Sequence, residues 1–198
     1  SCRQDPEVLE PVAESYEFKI PAGFPQPVYN FENNQITEAG FKLGRKLFYD
    51  PILSRDNTVA CASCHQQVSA FAHTEHRISH GINDLLGTRN APSIFNTAWY
   101  SSFMWDGGIN HIELQPAGPI ANPVEMDESL PNVIAKLSAL AQYRTMFREA
   151  FGSDTITSQR MFRAMAQFMG MMVSSDSKYD KFLRGETTLN ATENNGLT

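Results

Sequence analysis

The feature that most constrains this chain is the pentapeptide Cys61-Ala62-Ser63-Cys64-His65. Two thiols at this spacing can add to the two vinyl groups of one haem, and the imidazole that follows directly can bind the iron from the same side. Such a run is typical of proteins that carry haem covalently. It predicts haem c as the cofactor, attached at Cys61 and Cys64, with His65 as a ligand of the haem iron.

Two other uses of these thiols have to be weighed. A thioredoxin-like redox pair would follow a strand in a βαβ unit, and no β-pattern precedes Cys61. A zinc site stays open as an alternative, because His73 and His76 could join Cys61 and Cys64 as ligands. The eight-residue gap before His73 and the close spacing of the two histidines match common zinc patterns poorly. Outside such a site, these histidines and His111 are interpreted as surface or hydrogen-bonded residues.

The size and charge of the chain narrow the class of protein. A chain of 198 residues, 41% of them hydrophobic, can bury one sizeable core and fits a single domain. Its net charge of −6 argues against a nucleic-acid partner and favours a basic protein partner, because phosphate binding needs clustered Lys and Arg. No apolar run approaches the ~18 residues that span a bilayer.

The first residues indicate export. The chain begins Ser1-Cys2 and continues through a polar, proline-rich stretch, which is compatible with a cleaved export signal. Ser followed by Cys also resembles the end of a bacterial lipoprotein cleavage site, where Cys2 would carry lipid. We therefore expect a periplasmic or cell-envelope protein, with a lipid anchor and an unmodified thiol as the alternatives at Cys2.

Helical periodicity and turn-forming residues divide the chain. Residues 1–35 contain five prolines and little periodicity, which predicts an extended lead-in. Residues 54–128 are rich in Gly and Pro and predict long loops, which in compact domains commonly carry a site. The predicted helices, with Thr37 and Thr157 as N-caps of the first and last, are Glu38–Tyr49, Leu130–Leu140, Gln142–Phe151 and Ser158–Val173. Because no alternating strand pattern occurs, the fold class is all-α, a cytochrome c-like haem domain with long irregular loops.

A covalent haem allows two classes of function. An electron carrier would have both axial positions filled, usually by His65 and a distant Met. Peroxide cleavage needs a distal position that can open, together with a general acid/base. The methionines of the last predicted helix are interpreted as core filling.

Further short motifs follow one another along the chain. They are Leu43-Gly44-Arg45-Lys46-Leu47-Phe48-Tyr49-Asp50-Pro51 with Leu53-Ser54, Ser79-His80-Gly81, Arg89-Asn90-Ala91-Pro92-Ser93 with Asn96, Trp105-Asp106-Gly107, Gln115 to Pro119, and Val124-Glu125-Met126. With the pentapeptide, in this order and at this spacing over residues 40–186, they resemble the N-terminal half of the bacterial di-haem cytochrome c peroxidase and MauG family.

The resemblance implies a domain and an activity. Residues 36–190 would form the peroxidatic haem domain, which reduces hydrogen peroxide to water with electrons from a small cytochrome or cupredoxin. A MauG-like oxidase of a protein substrate and a monohaem electron-transfer cytochrome are the alternatives. A second, C-terminal domain with its own haem would relay the electrons, and residues 191–198 resemble its start. Because this sequence has no second C-x-x-C-H, we expect a fragment with impaired turnover. A homodimer is among the assemblies expected for the protein.

The resemblance also implies roles for distal residues. Glu125 matches the carboxylate that serves as acid/base in peroxide cleavage, and Gln115 and Pro119 match its neighbours in the distal pocket. The alternative for Glu125 is a carboxylate placed favourably before the Leu130 helix. His80 matches a removable distal ligand of the haem iron, although the loop before Arg89 is two residues longer than in the family.

Two more residues match family positions between the domains. Trp105 corresponds to an aromatic side chain that lies between the two haems and can mediate electron transfer; the alternative is an ordinary buried Trp. Asn90 matches a ligand of a calcium ion, whose other protein ligands would come from the second domain, since Ca²⁺ takes about 6–8 oxygen ligands.

Overall fold

The structure is a computed structural model that describes residues 16–74 and 76–197. The described part contains eight α-helices: α1 (Glu38–Tyr49), α2 (Cys61–Cys64), α3 (Ala117–Ala121), α4 (Leu130–Ala139), α5 (Ala141–Phe151), α6 (Ser158–Gly170), α7 (Lys178–Leu183) and α8 (Ala191–Asn195). Between residues 54 and 128 the chain runs through loops and short 3-10 turns, interrupted only by the short helices α2 and α3 in the described part. The described residues form no β-strand, only three isolated bridges. The all-α prediction with long irregular loops is confirmed.

The helix ends follow from local hydrogen bonds. Thr37 caps α1 by accepting from Gly40 N at 3.0 Å, as predicted, and Pro51 lies just beyond its end. The predicted bounds of α4 and α5 are correct to within one residue. α6 ends at Gly170 rather than at Val173, and just beyond it Met172 N donates to Met169 O at 3.2 Å while Met172 O accepts from Asn96 N at 2.8 Å.

α7 is absent from the sequence-based prediction. Ser177 and Asp180 cap it reciprocally, with Ser177 Oγ accepting from Asp180 N at 3.1 Å and Asp180 Oδ2 accepting from Ser177 N at 2.8 Å. The helix has only six residues and buries none of them, so it leaves no apolar periodicity to detect.

The core forms where α1 crosses α6. Gly44 lies so close to the Ala164 carbonyl that a Cβ at position 44 would overlap with it, and this brings the two helices into direct backbone contact. Leu43, Leu47 and Met161 are fully buried at this crossing. The methionines of α6 therefore fill the core, as predicted; Met165 and Met169 also reach the wall of the cavities described below.

The described part of the lead-in packs on the helices without regular structure. The Tyr16 ring contacts Phe41 of α1 with ring centroids 5.2 Å apart, and Tyr29 N donates to Ala98 O at 2.9 Å. Cys2, with the anchor expected there, and the rest of residues 1–15 lie outside the described residues. In the part of the chain that the structure describes, no helix is both long and apolar enough to cross a membrane.

Candidate functional site

The long loops enclose one crevice made of two adjoining cavities of about 570 and 50 Å³. The larger volume lies within the range of cofactor and ligand pockets. Seven residues line both cavities: Cys64, His65, Ile94, Gln115, Pro119, Glu125 and Met169. Asn90 and Trp105 line the larger cavity, while Cys61 and His80 line the smaller one. All nine side chains predicted from the sequence thus lie on the walls of the same crevice.

The two thiols lie on one helical turn. α2 begins at Cys61 and ends at Cys64, and Ser63 Oγ holds its start by accepting from Ala60 N at 3.1 Å. Both cysteines are free, and burial raises the pKa of Cys61 to about 12 and also raises that of Cys64. In the chain without a cofactor, burial therefore favours the neutral thiol form of both side chains.

The zinc alternative finds no support in the geometry. Among residues 16–74 and 76–197, no three His, Cys, Asp or Glu side chains converge on a point that could hold a metal ion. The rings of His73 and His76 instead pack against each other, with centroids 4.8 Å apart. The prediction of a two-thiolate, two-imidazole zinc site is therefore not supported.

His65 is held as a neutral imidazole. Its Nδ1 lies 2.9 Å from the Phe71 carbonyl, and since a carbonyl only accepts, Nδ1 carries the proton. Burial lowers the pKa of His65, which keeps the ring neutral. The lone pair of Nε2 is then available as a ligand, the arrangement that metal-bound histidines commonly use.

A tight turn places the Phe71 carbonyl on His65. Ala70 and Phe71 both have left-handed backbone conformations, with φ of 54° and 57°, and Phe71 N donates to Gln66 O at 2.8 Å. Non-glycine residues adopt this conformation only at a cost, so two in succession indicate a turn kept for what it positions. Sequence reasoning missed this partner, because a backbone carbonyl has no residue signature.

Glu125 lies across the crevice in a bend that follows α3. Its Oε1 accepts from Asn122 Nδ2 at 2.7 Å, while Asn122 Oδ1 accepts from Val124 N at 3.2 Å. Burial raises the pKa of Glu125, and the hydrogen bond from Asn122 offsets only part of this effect. A raised pKa makes this carboxyl group a better proton acceptor than an ordinary glutamate, as a general acid/base requires.

The structure gives the helix-start role to another carboxylate. α4 is capped by Ser129, whose hydroxyl accepts from Asn132 N at 3.3 Å, and it is Glu128 that accepts from Ser129 N at 2.9 Å and from Asn132 Nδ2 at 3.2 Å. Glu125 faces the crevice instead. The alternative interpretation of Glu125 as a helix-start carboxylate is therefore wrong.

Gln115 and Pro119 form the wall beside Glu125. Gln115 ends the 3-10 turn Ile112–Leu114, with its Nε2 3.9 Å from Met104 Sδ, and Pro119 O accepts from Met126 N at 3.2 Å. The last bond ties α3 to the bend that contains Glu125. Gln115, Pro119 and Glu125 therefore share one rigid side of the crevice.

Trp105 is exposed rather than buried. Its side chain is 63% exposed, and its indole Nε1 donates to Asn90 O at 2.8 Å. The ordinary buried Trp considered as an alternative is therefore wrong. Asn90 in turn donates from Nδ2 to the carbonyls of His73 and His76, both at 2.8 Å, so a calcium ion would have to use its amide oxygen.

His80 also lines the smaller cavity. Its Nδ1 is 2.7 Å from Asp84 Oδ1, and its ring contacts that of His76 with centroids 4.6 Å apart. The Cys64 thiol donates to the His80 carbonyl at 3.4 Å. His80 is thus adjacent to the attachment helix and borders the same cavity as His65 and Glu125.

The chain is similar to known proteins over most of its length. Residues 38–188 match the family described as di-haem cytochrome c peroxidase. The chain belongs to this family. It is 33% identical over 170 residues to the methylamine utilization protein MauG of Methylophilus methylotrophus, covering 86% of this chain and 49% of that protein. It is 37% identical over 145 residues to the cytochrome c551 peroxidase of Nitrosomonas europaea, covering 73% of this chain and 43% of that protein.

Solved structures agree with the sequence comparisons. A MauG-like protein associated with microbial copper homeostasis superposes with a TM-score of 0.81 at 34% identity, covering 92% of this chain and 54% of that one. The chain spans about half the length of the relatives it matches. The prediction of the di-haem peroxidase and MauG family, and of its N-terminal half, is confirmed.

Membership of the di-haem peroxidase family implies haem c, and the residues of this crevice fit it. Cys61 and Cys64 would hold the vinyl-derived carbons and His65 Nε2 the iron, because both thiols and the neutral imidazole border the same cavity. A cavity of about 570 Å³, lined by Cys64 and His65, adjoins the smaller cavity and gives space for a planar cofactor.

Sequence reasoning missed two further partners within the site. Asn122 positions Glu125, and the Asn-Pro dipeptide at 122–123 was a turn signal that could have indicated a bend there. Asp84 contacts His80 from four residues further along the chain. Nothing in the family motifs marks that position.

Proposed function

We propose that this chain is the peroxidatic haem domain of a peroxidase that reduces hydrogen peroxide to water. The observation that carries the proposal is Glu125, a partly buried carboxyl group with a raised pKa in the same crevice as His65 and the two thiols. The membership of this chain in the di-haem peroxidase family supports peroxidase or MauG-like chemistry. An electron carrier has no use for an ionisable acid in this position.

The proposed chemistry divides between the cofactor and the chain. Haem, when bound, would supply both the iron that binds peroxide and the electrons that break the O–O bond. Each turnover consumes H2O2, two electrons and two protons and releases two molecules of water. Glu125 moves a proton from one peroxide oxygen to the other, so that the departing oxygen leaves as water. Gln115 and Pro119 narrow the space beside this carboxyl group and limit where peroxide can lie.

His65 and His80 are the two histidines that would hold the haem iron. The Phe71 carbonyl keeps the His65 proton on Nδ1 and so presents Nε2 as the permanent ligand. We propose His80 as a removable ligand on the distal side, since it borders the same small cavity as Glu125. Its departure would open the position that peroxide needs.

Electrons would come from outside the domain. The net charge of −6 suits a basic donor, which we propose to be a small cytochrome or cupredoxin. The exposed indole of Trp105 lines the crevice and is the proposed contact toward a second haem domain. On this proposal the isolated chain reacts with peroxide once but turns over poorly with the donor, and calcium at Asn90 would also require that second domain.

A MauG-like oxidase of a protein substrate is the second candidate. It is favoured by two observations, the 33% identity to a MauG and the close superposition on a MauG-like structure. Both candidates use peroxide and the same acid/base. They differ in whether electrons come from a redox donor or from residues of a protein substrate, so assays with each type of electron source separate them.

The location of the protein is part of the proposal. Thioether attachment of haem requires maturation outside the cytoplasm, so we propose export to the periplasm or cell envelope. Cys2 is the proposed lipid anchor. Cell fractionation of the native host tests both points: replacing Cys2 by Ser should move the protein from the membrane fraction to the soluble periplasmic fraction.

The direct test of the enzyme proposal is Glu125→Gln in the haem-loaded protein. Stopped-flow spectroscopy with H2O2 should show a second-order rate constant reduced by about 10²–10⁴, the usual contribution of a general acid/base. Reversible reduction of the iron by dithionite should be retained. Glu149→Gln, at an exposed position on α5, is the matched control and should react like the wild type. An unchanged peroxide reaction in Glu125→Gln would reject the acid/base role.

A further inference from the structure

The turn that follows His80 has an unusual backbone. Asn83 and Asp84 both adopt left-handed conformations, with φ of 52° and 58°. Asn and Asp tolerate this region better than other non-glycine residues, but two in succession still cost free energy.

Backbone hydrogen bonds fix the turn at both ends. Gly81 N donates to Leu85 O at 2.9 Å, and Gly87 N donates to Ser79 O at 2.9 Å. Ile82 N donates to Glu125 O at 2.7 Å, which attaches the turn to the distal wall. The position of Asp84 relative to His80 is therefore determined by the fold and not by a flexible loop.

The turn places the Asp84 carboxylate on one particular nitrogen of His80. Oδ1 of Asp84 lies 2.7 Å from Nδ1 of His80. A carboxylate only accepts hydrogen bonds, so Nδ1 carries a proton, and in the neutral tautomer that this contact selects the lone pair is on Nε2. The ring of His76, with its centroid 4.6 Å away, packs against His80 and restricts its rotation.

Stability does not explain this contact. The side chain of Asp84 is 84% exposed and that of His80 is 31% exposed. Exposed pairs of this kind contribute little to folding free energy. A strained turn that gains almost no stability from its side-chain contact indicates a role in orienting the imidazole.

We infer that Asp84 is a positioning residue that prepares His80 to bind the haem iron through Nε2. The inference rests on the proposed function, and specifically on His80 as the removable distal ligand. The His80–Asp84 pair repeats, on the distal side, what the Phe71 carbonyl does for His65. Partners that accept from the second nitrogen of a histidine ligand commonly change metal affinity by about 10–100-fold.

The test is spectroscopic and uses the exported, haem-loaded protein. Low-temperature EPR and visible spectra of the ferric protein distinguish low-spin iron that is bound by His80 from iron that is not. The measured quantity is the ratio of these two populations, and His80→Gly shows the spectrum expected when the ligand is lost completely. Asp84→Gly removes the carboxylate and keeps a residue that tolerates a φ of 58°. We expect it to lower the ratio by about 10-fold. Asp84→Asn retains an acceptor oxygen, so its ratio should lie between those of the wild type and Asp84→Gly.

Asn83→Gly is the matched control. It changes the neighbouring residue of the same turn, which is also exposed and left-handed. Because the Asp84 carboxylate that contacts His80 is retained, the ratio should stay within about two-fold of the wild-type value. A second measurement uses the chain without haem. The ¹⁵N shifts of His80 should indicate a proton on Nδ1 in the wild type and a shift toward Nε2 in Asp84→Gly.

Two results would overturn the inference. If Asp84→Gly retains the wild-type ratio, Asp84 does not position His80. If the wild type and His80→Gly have the same spectrum, His80 does not bind the iron, and the role of Asp84 fails with it. Peroxide reactivity of the same preparations, measured with Glu125→Gln as reference, distinguishes either result from failure of the peroxidase proposal.

Discussion

Gly81 lies directly against the backbone of Glu125. A Cβ at position 81 would overlap with the Val124 carbonyl and with Cα of Glu125, and the next residue, Ile82, donates from its N to Glu125 O at 2.7 Å. The turn that contains His80 and the bend that contains Glu125 therefore form one packed unit. Displacement of either segment must move the other.

Gly81→Ala should disturb both segments. We expect a loss of about 1–3 kcal/mol in the free energy of unfolding, as in other overpacked sites, because backbone atoms cannot move aside as a flexible side chain can. Urea denaturation measures this loss. Gly87→Ala is the control, since its Cβ would lie 3.4 Å from the nearest atom, Ser79 O. Equal stability of the two variants would contradict the packing described here.

Glu125 should reduce stability as the pH rises. Burial raises its pKa in the folded chain, so the folded state holds this proton at pH values where the unfolded chain has released it. Stability therefore falls as the pH rises from the ordinary Glu pKa of about 4.3 through the raised value. Glu125→Gln removes this penalty. Its melting temperature should exceed that of the wild type at neutral pH and approach it in acid; a difference independent of pH would refute the assignment.

Lys136 should stabilise the segment that leads from the Glu125 bend into α4. Its ammonium group donates to Ser54 O at 2.6 Å and pairs with the buried Glu128 at 2.7 Å. Burial tends to raise the pKa of Glu128, but hydrogen bonds from Lys136, Ser129 N and Asn132 outweigh it, and the net pKa is lowered.

Lys136→Met should therefore leave a buried carboxylate without its charge partner. We expect a loss of about 1–2 kcal/mol in unfolding free energy, less than for a fully enclosed pair, because this one borders an open surface groove. Lys42→Met, which breaks the exposed pair with Glu38, should have little effect by the same denaturation measurement. A loss no greater than in this control would show that the pair does not contribute.

Sequence patterns predicted those parts of the molecule that depend on local spacing. The pentapeptide at 61–65 predicted three side chains that the structure places on one cavity, and the periodicity of α1 together with its cap at Thr37 gave the helix to the residue. The end of α6 was missed because apolar residues continue to Val173, while Asn96, a residue that is distant in sequence, binds the chain just beyond the helix.

Features that depend on the folded backbone left no sequence signal. The Phe71 carbonyl at His65 and the carboxylate of Asp84 at His80 both follow from left-handed turns at non-glycine residues. The exposure of Trp105 is compatible with the position between domains that the family resemblance implied, but residue type alone does not indicate it, since large aromatic residues are usually at least partly buried.

The central claim is that Cys61, Cys64 and His65 hold a covalent haem that reacts with peroxide. It is tested most directly by a pyridine haemochrome spectrum of the exported chain after acid–acetone extraction, followed by visible spectra with and without H2O2. The account predicts haem that stays with the protein, shows the bands of two thioether links and changes its spectrum with peroxide. Haem that is extracted by acid–acetone, or a bound haem whose spectrum is unaffected by peroxide, would contradict it.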